Sequence, residues 1–140
     1  MQDRPTRVLL IEDDADDFAL AKDYLSEIED DTYELDWVSS YEAGAQEALR
    51  NAHDIILVDY RLGERTGVDL VREVTRQGCT TPIIFLTGQR DRAVDRAAME
   101  AGAYDYLIKA RIDAAALERS IRYALDRKRA LDEIARIRAR

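Results

Sequence analysis

Four short stretches of the chain carry residues able to do chemistry. Residues 12–17 read EDDADD, with Glu12, Asp13 and Asp14 directly after the apolar run VLLI. Asp59 follows IILV, Thr87 follows IIFL, and Lys109 follows YDYLI. Carboxylates gathered at one rim repel, by a few kcal/mol for a pair about 4 Å apart at an effective dielectric near 20. A hard divalent cation relieves that repulsion. Magnesium prefers oxygen ligands and keeps several waters, which suits one or two carboxylates plus phosphate oxygens. A carboxylate at the tip of an apolar strand, as Asp59 would be, can act as a nucleophile toward phosphorus. Metal and ammonium would neutralise charge on a transferring phosphoryl group, and Thr87 can donate its hydroxyl hydrogen to a phosphate oxygen. Together these residue types suit formation of an aspartyl phosphate.

They meet only if the fold gathers the ends of those runs. Residues 8–11, 35–38, 55–58, 83–86 and 104–108 read as strands, the most apolar of them covered on both faces. Helical stretches alternate with them. The first spans about 16–28, with Phe18, Ala21, Leu25 and Ile28 at three-four spacing. The second runs from a Ser39 or Ser40 cap to about Asn51. The third covers 68–76 and ends at Gly78, the fourth about 91–101 and stops at Gly102. The last starts at Asp113 and runs to the end; Gly63 and Gly67 bracket a loop. Five β/α repeats with right-handed crossovers predict an α/β fold with an open doubly wound parallel sheet. Ligands bind such a sheet beyond the carboxyl ends of its strands. All four chemical stretches lie there.

Composition narrows the function classes. A chain of 140 residues, 46 % apolar, suits one domain with a real core. No apolar run approaches the ~20 residues of a membrane span, and MQDRPTR lacks the apolar segment of a secretory signal. A cytoplasmic protein is expected. The single cysteine, Cys79, excludes an internal disulfide and a cysteine-built metal site. A net charge of −8 argues against direct binding of nucleic acid.

The segments VLLIEDD, IILVDYRLGERTG, PIIFLTG and AGAYDYLIKA, in that order, resemble the response-regulator receiver family over about residues 6–125. The resemblance implies a CheY-like five-stranded sheet of order 2-1-3-4-5. It implies that Asp59 is the phosphoacceptor, and that Asp13, Asp59 and the backbone carbonyl of Arg61 bind Mg2+, with Glu12 acting through water. Thr87 and Lys109 match the phosphate-contacting pair, and Tyr106 the aromatic that rotates with Thr87 during switching. A histidine kinase or phosphotransfer protein would donate the phosphoryl group, and an output domain or effector would read it. The domain would catalyse only its own phosphorylation and dephosphorylation. Gly63 and Ala110 stand where the family commonly has proline. Since a cis bond without proline costs about 3 kcal/mol, a trans Lys109–Ala110 bond and a shifted loop are expected. The missing prolines also motivate an alternative, a receiver-like scaffold that is never phosphorylated.

Plainer roles compete at several positions. Glu12 and Asp13 suit a helix N-terminus, and a strand ending one residue later would put Asp14 in place of Glu12. Asp14, Asp16 and Asp17 read as first-turn helix acids, His53 as a surface residue, and Trp37 and Cys79 as packing residues. Tyr106 serves equally as a packing aromatic. An aspartate-nucleophile phosphatase usually needs an acid two residues beyond its nucleophile, where this chain has Arg61. A flavin carrier needs a phosphate loop that EDDADD would repel.

The receiver is expected over 1–125 and a helical extension over 126–140. Leu117, Ile121, Ala124, Lys128, Leu131, Ala135 and Arg138 trace a heptad-like seam. The extension is read as a connector or as an arm that pairs with a second copy.

Overall fold

The strands form where the apolar runs predict, and their register sets the site. A computed structural model describes residues 4–29, 31–88 and 91–139. In chain order the elements are β1 (Thr6–Ile11), α1 (Ala15–Ser26), β2 (Tyr33–Val38), α2 (Tyr41–Leu49), β3 (Ile55–Asp59), β4 (Arg61–Leu62), β5 (Arg65–Thr66), α3 (Gly67–Arg76), β6 (Ile83–Thr87), α4 (Arg92–Ala101), β7 (Asp105–Ile108), a 3-10 turn (Lys109–Arg111) and α5 (Ala114–Arg138). The five long strands pair in parallel in the order β2-β1-β3-β6-β7, which is 2-1-3-4-5 counting those strands alone. Ile11 pairs with Val58, Asp59 with Leu86, and Thr87 with Ile108. Glu12, Asp59, Thr87 and Lys109 therefore stand at one edge of the sheet.

Alternation along the strands supplies two cores. Leu9, Ile11, Ile56, Val58, Ile83 and Phe85 pack with α2, α3 and α4, whereas Val8, Leu10, Ile55, Leu57, Ile84 and Leu86 pack with α1 and α5. Each fully buried Leu, Ile or Phe stabilises by roughly 1.5–3 kcal/mol. Polar side chains at the helix starts satisfy backbone N–H groups that would otherwise lack partners. Asp14 caps α1, Ser40 α2, Thr66 α3, Asp91 α4 and Asp113 α5.

Two expectations change. The loop between Gly63 and Gly67 carries the turn and second strand of an antiparallel hairpin, β4–β5, whose first strand precedes Gly63; Gly63 has φ +66°, a conformation that favours glycine. His53 is buried, not a surface residue, and its Nε2 lies 2.7 Å from Asp36 Oδ2. Only the first half of the heptad-like seam is covered. Leu117, Ile121 and Ala124 are buried against the sheet, while Leu131, Ile134 and Ile137 are exposed beyond it. Among the described residues there is no cis peptide bond, so Lys109–Ala110 is trans as expected. No described helix is long and apolar enough to cross a membrane.

Gly67 is the tightest point near the site. A Cβ there would fall 2.3 Å from the backbone oxygen of Asp59 and 3.0 Å from the Phe85 ring. Gly67→Ala must push α3 off the end of β3, and forced overpacking of this kind costs about 1–3 kcal/mol. Urea unfolding should give an unfolding free energy lower by that amount and a correspondingly lower midpoint; an unchanged midpoint would show that the loop yields freely.

Candidate functional site

The site begins where β1 ends. Ile11 is its last residue, so Glu12 is the first acid beyond the strand and Asp14 turns away to cap α1. This settles the register between Glu12 and Asp14. Glu12 is 1 % exposed, and its main chain is fixed from both sides. The Glu12 N–H donates to the Val38 carbonyl at 3.1 Å, and its carbonyl accepts from Trp37 Nε1 at 2.7 Å. Trp37 also stacks on Phe18, with ring centroids 4.2 Å apart. The sequence reading of Trp37 as a packing residue thus omitted its bond to the site.

Asp59 ends the central strand and is buried. The Tyr60 N–H donates to Leu86 O at 2.9 Å and the Gly67 N–H to Tyr60 O at 2.6 Å, which close the loop around it. Asp13 is exposed and accepts from the Gly63 N–H at 3.2 Å, tying it to the hairpin tip. Carboxylate oxygens of Glu12, Asp13 and Asp59 lie within 4.8 Å of one another. Arg61 opens β4 two residues beyond Asp59 and borders the same cleft.

Lys109 reaches this cluster from the end of β7. Its Nζ lies 2.9 Å from Asp59 Oδ1 and 3.0 Å from Glu12 Oε1. It also lies 2.6 Å from Asp17 Oδ2. Asp17 was read from sequence as a helix acid of the first turn; in the fold it is a member of the site. Its place in the first turn of α1, next to Asp16, gave no sign of this. Only the packing of α1 beside the β7–α5 turn says that it meets Lys109.

Thr87 is buried, and its Oγ1 has no partner among the described residues. A cleft of about 340 Å³ opens over it, lined by Asp59, Arg61, Thr87, Gly88, Asp91 and Lys109. A buried hydroxyl without a partner is costly, and a phosphoryl oxygen in this cleft would give it one. Tyr106 is half-buried on β7, beside Phe85 in register and against the α2–α3–α4 core.

Charge is unevenly balanced here. Burial, then the charge of Asp59, pushes the Glu12 carboxyl up to about 8, with Lys109 opposing. Asp59 is raised as well, by burial first, again against Lys109. Burial works to lower the Lys109 value, but its bonds to Asp17, Asp59 and Glu12 outweigh it, and the ammonium persists. A dication fits this donor set. The oxygens suit a hard ion, and the two buried acids hold a proton that such an ion would displace.

Known proteins resemble this chain in sequence and in fold. The family described as the response regulator receiver domain matches residues 8–122. The response regulator ArlR of Staphylococcus saprophyticus is 35 % identical over 104 residues, which cover 74 % of this chain and 46 % of that protein. The response regulator protein PmrA of Pseudomonas aeruginosa is 36 % identical over 107 residues, 74 % of this chain and 45 % of its own. The chain spans about half the length of these curated relatives. A receiver domain protein from Clostridium thermocellum superposes with a TM-score of 0.75 at 29 % identity, covering 90 % of this chain and 98 % of that one. The receiver domain of a sensor histidine kinase from Pseudomonas aeruginosa, described with a magnesium ion coordinated in its active site cleft, superposes at 0.76 with 26 % identity, covering 88 % and 99 %.

The raised Glu12 carboxyl has a consequence for the metal-free protein. Between about pH 4.5 and about pH 8 the folded state keeps a proton that the unfolded chain has released. Stability from this group is therefore complete at the acid end of that window and falls as pH rises through it. Glu12→Gln removes the titration. In EDTA, thermal unfolding should show the variant gaining on the wild type as pH rises across the window. A constant difference would mean that Glu12 titrates normally.

Proposed function

The chain belongs to the response regulator receiver family of two-component systems, and from that membership we propose that Asp59 is its phosphoacceptor. The observation that carries this is the ammonium of Lys109 at 2.9 Å from a buried strand-end carboxylate, beside a Thr87 hydroxyl that has no partner among the described residues. The donor is a phosphohistidine on a kinase or phosphotransfer protein. An Asp59 carboxylate oxygen attacks phosphorus, an O–P bond forms as the donor's P–N bond breaks, and the leaving imidazole takes a proton from water. Lys109 donates to a phosphoryl oxygen through its ammonium, and Thr87 through its hydroxyl. Burial of Asp59 keeps bulk water from screening these contacts.

Asp13, Asp59 and the Arg61 carbonyl would hold Mg2+, with Glu12 reaching it through water. Bound there, the ion supplies positive charge to neutralise the phosphoryl oxygens. The domain then catalyses its own modification and hydrolysis and no external reaction. Rearrangement of Thr87 and Tyr106 carries the state to an output domain or effector. The cytoplasm is the compartment we assign. No observation favours the alternative of a scaffold that is never phosphorylated.

Residues 1–125 constitute the receiver in this reading, and 126–140 a connector or dimerising arm; Arg140 lies outside the described residues. The support is the side of α5 that projects past the sheet, where Leu131, Ile134 and Ile137 stay 44–55 % exposed at a spacing of three. Solvated ion pairs flank them, Lys128–Asp132 at 2.8 Å and Arg129–Asp126 at 2.7 Å.

Acetyl phosphate with Mg2+ should add one phosphoryl group to the wild type and none to Asp59→Asn, read by intact mass. Lys109→Ala should slow the loading about 10²-fold, the usual effect of removing one preorganised charge stabiliser. Equal labelling of Asp59→Asn would place the acceptor elsewhere. For the arm, Ile134→Asp with Ile137→Asp should lower the sedimenting mass of any self-associated form and leave the receiver's melting temperature unchanged. Identical sedimentation of both proteins would remove the pairing role.

A further inference from the structure

The contact between Asp17 and Lys109 joins residues 92 apart in the chain. It is also the shortest of the three bonds around the ammonium, at 2.6 Å against 2.9 Å to Asp59 and 3.0 Å to Glu12. An ammonium has three donors, and three carboxylates lie within 3.0 Å of this one. The three carboxylates are not equivalent. Glu12 and Asp59 belong with Asp13 to the oxygen cluster able to hold a dication; Asp17 does not. It is half-buried on α1, and its backbone N–H donates to the capping Asp14 Oδ1 at 3.3 Å, which fixes the first turn beneath it.

Packing alone does not hold the lysine. A small cavity of about 40 Å³ adjoins it, walled by Leu20, Tyr24, Leu57, Leu86 and Ile112 between α1 and α5. A four-carbon stem beside a void keeps rotamer freedom unless its head is tied. When Asp13 and Asp59 commit their charge to a divalent cation, the attraction that draws Lys109 toward Asp59 is largely cancelled. The nearest full negative charge left to the ammonium is then Asp17.

Resting on the phosphoacceptor reading above, we propose that Asp17 is a positioning residue that keeps Lys109 beside Asp59 while the neighbouring acids hold the metal. The acid EDDADD run thus divides its work. Asp13 faces the ion, Asp14 caps the helix, and Asp17 anchors the lysine. Asp17 touches no reacting atom. Its action passes through Lys109 alone.

The test uses the full chain as wild type, Asp17→Asn, Asp17→Glu, Lys109→Ala and the Asp17→Asn/Lys109→Ala double variant, each first checked by thermal melting. At saturating Mg2+ and acetyl phosphate, Asp17→Asn should lower the maximal phosphorylation rate about tenfold, as a misplaced stabilising group does. The half-saturating acetyl phosphate concentration and the Mg2+ affinity, read from Trp37 fluorescence, should stay within about twofold, because the lost interaction belongs to the reacting state. Asp17→Glu should recover most of the rate, and in the Lys109→Ala background Asp17→Asn should have no further effect. Nitrogen-15 NMR of the Lys109 ammonium supplies a readout without phosphodonor. With Mg2+ present, its protons should exchange slowly in wild type and in Asp17→Glu, and fast in Asp17→Asn. A wild-type rate in Asp17→Asn, equal slowing of Lys109→Ala by the second substitution, or unchanged ammonium exchange would each overturn the inference. Failure of the wild type to load Asp59 would count against the phosphoacceptor reading, and the NMR comparison would still decide the role of Asp17.

Discussion

One ammonium holds together a group of carboxylates that would otherwise separate. Glu12 and Asp59 are buried side by side at the end of the sheet, where an uncompensated charge costs several kcal/mol. Lys109 lies within 3.0 Å of both. Even so, the balance is incomplete, and the two acids together retain a proton that ordinary carboxylates would have released. A site in this condition favours a dication on one side and, once the dication is present, an anion on the other. The Thr87 hydroxyl, without a partner among the described residues, faces the same need for an acceptor.

The rest of the fold serves that balance by fixing positions. Parallel register brings β1, β3, β6 and β7 to a common edge. The main chain on either side of Asp59 is pinned, by Leu86 before the hairpin and by the close approach of Gly67 after it. Trp37 holds the Glu12 carbonyl from β2, and the hairpin tip at Gly63 holds Asp13. The Tyr41 hydroxyl donates to Glu73 and accepts from Arg65, and Arg65 lies 3.6 Å over the Tyr41 ring, so β5 is fastened to α2 and α3. The hairpin is thereby held although each of its strands has two residues. Several of these contacts join elements distant in sequence, Asp13 to Gly63 and Trp37 to Glu12 among them.

The Lys109–Ala110 bond is trans. The chain passes directly from β7 into a single 3-10 turn and then to the Asp113 cap of α5. The lysine head nevertheless arrives at Asp59, because α1 presents Asp17 on the other side of it. An electrostatic tie from a neighbouring helix does here what a rigid loop could do elsewhere.

Elements and strand-end chemistry were legible in the sequence because both follow local rules. Apolar runs of four or five residues between amphipathic stretches specify β/α repeats, and the residue after each run is placed at the strand end by the count alone. Asp59, Thr87 and Lys109 are all identified this way. Which acid follows β1 depended on one residue of register, and the pairing of Ile11 with Val38 and Val58 decided for Glu12. His53 looked like a surface residue because a lone polar side chain carries no periodicity; the fold buries it beside Asp36. Asp17 was hidden for the same reason. Its partner is supplied by the last strand, and a contact of that kind exists only when helix, strand and turn have packed together.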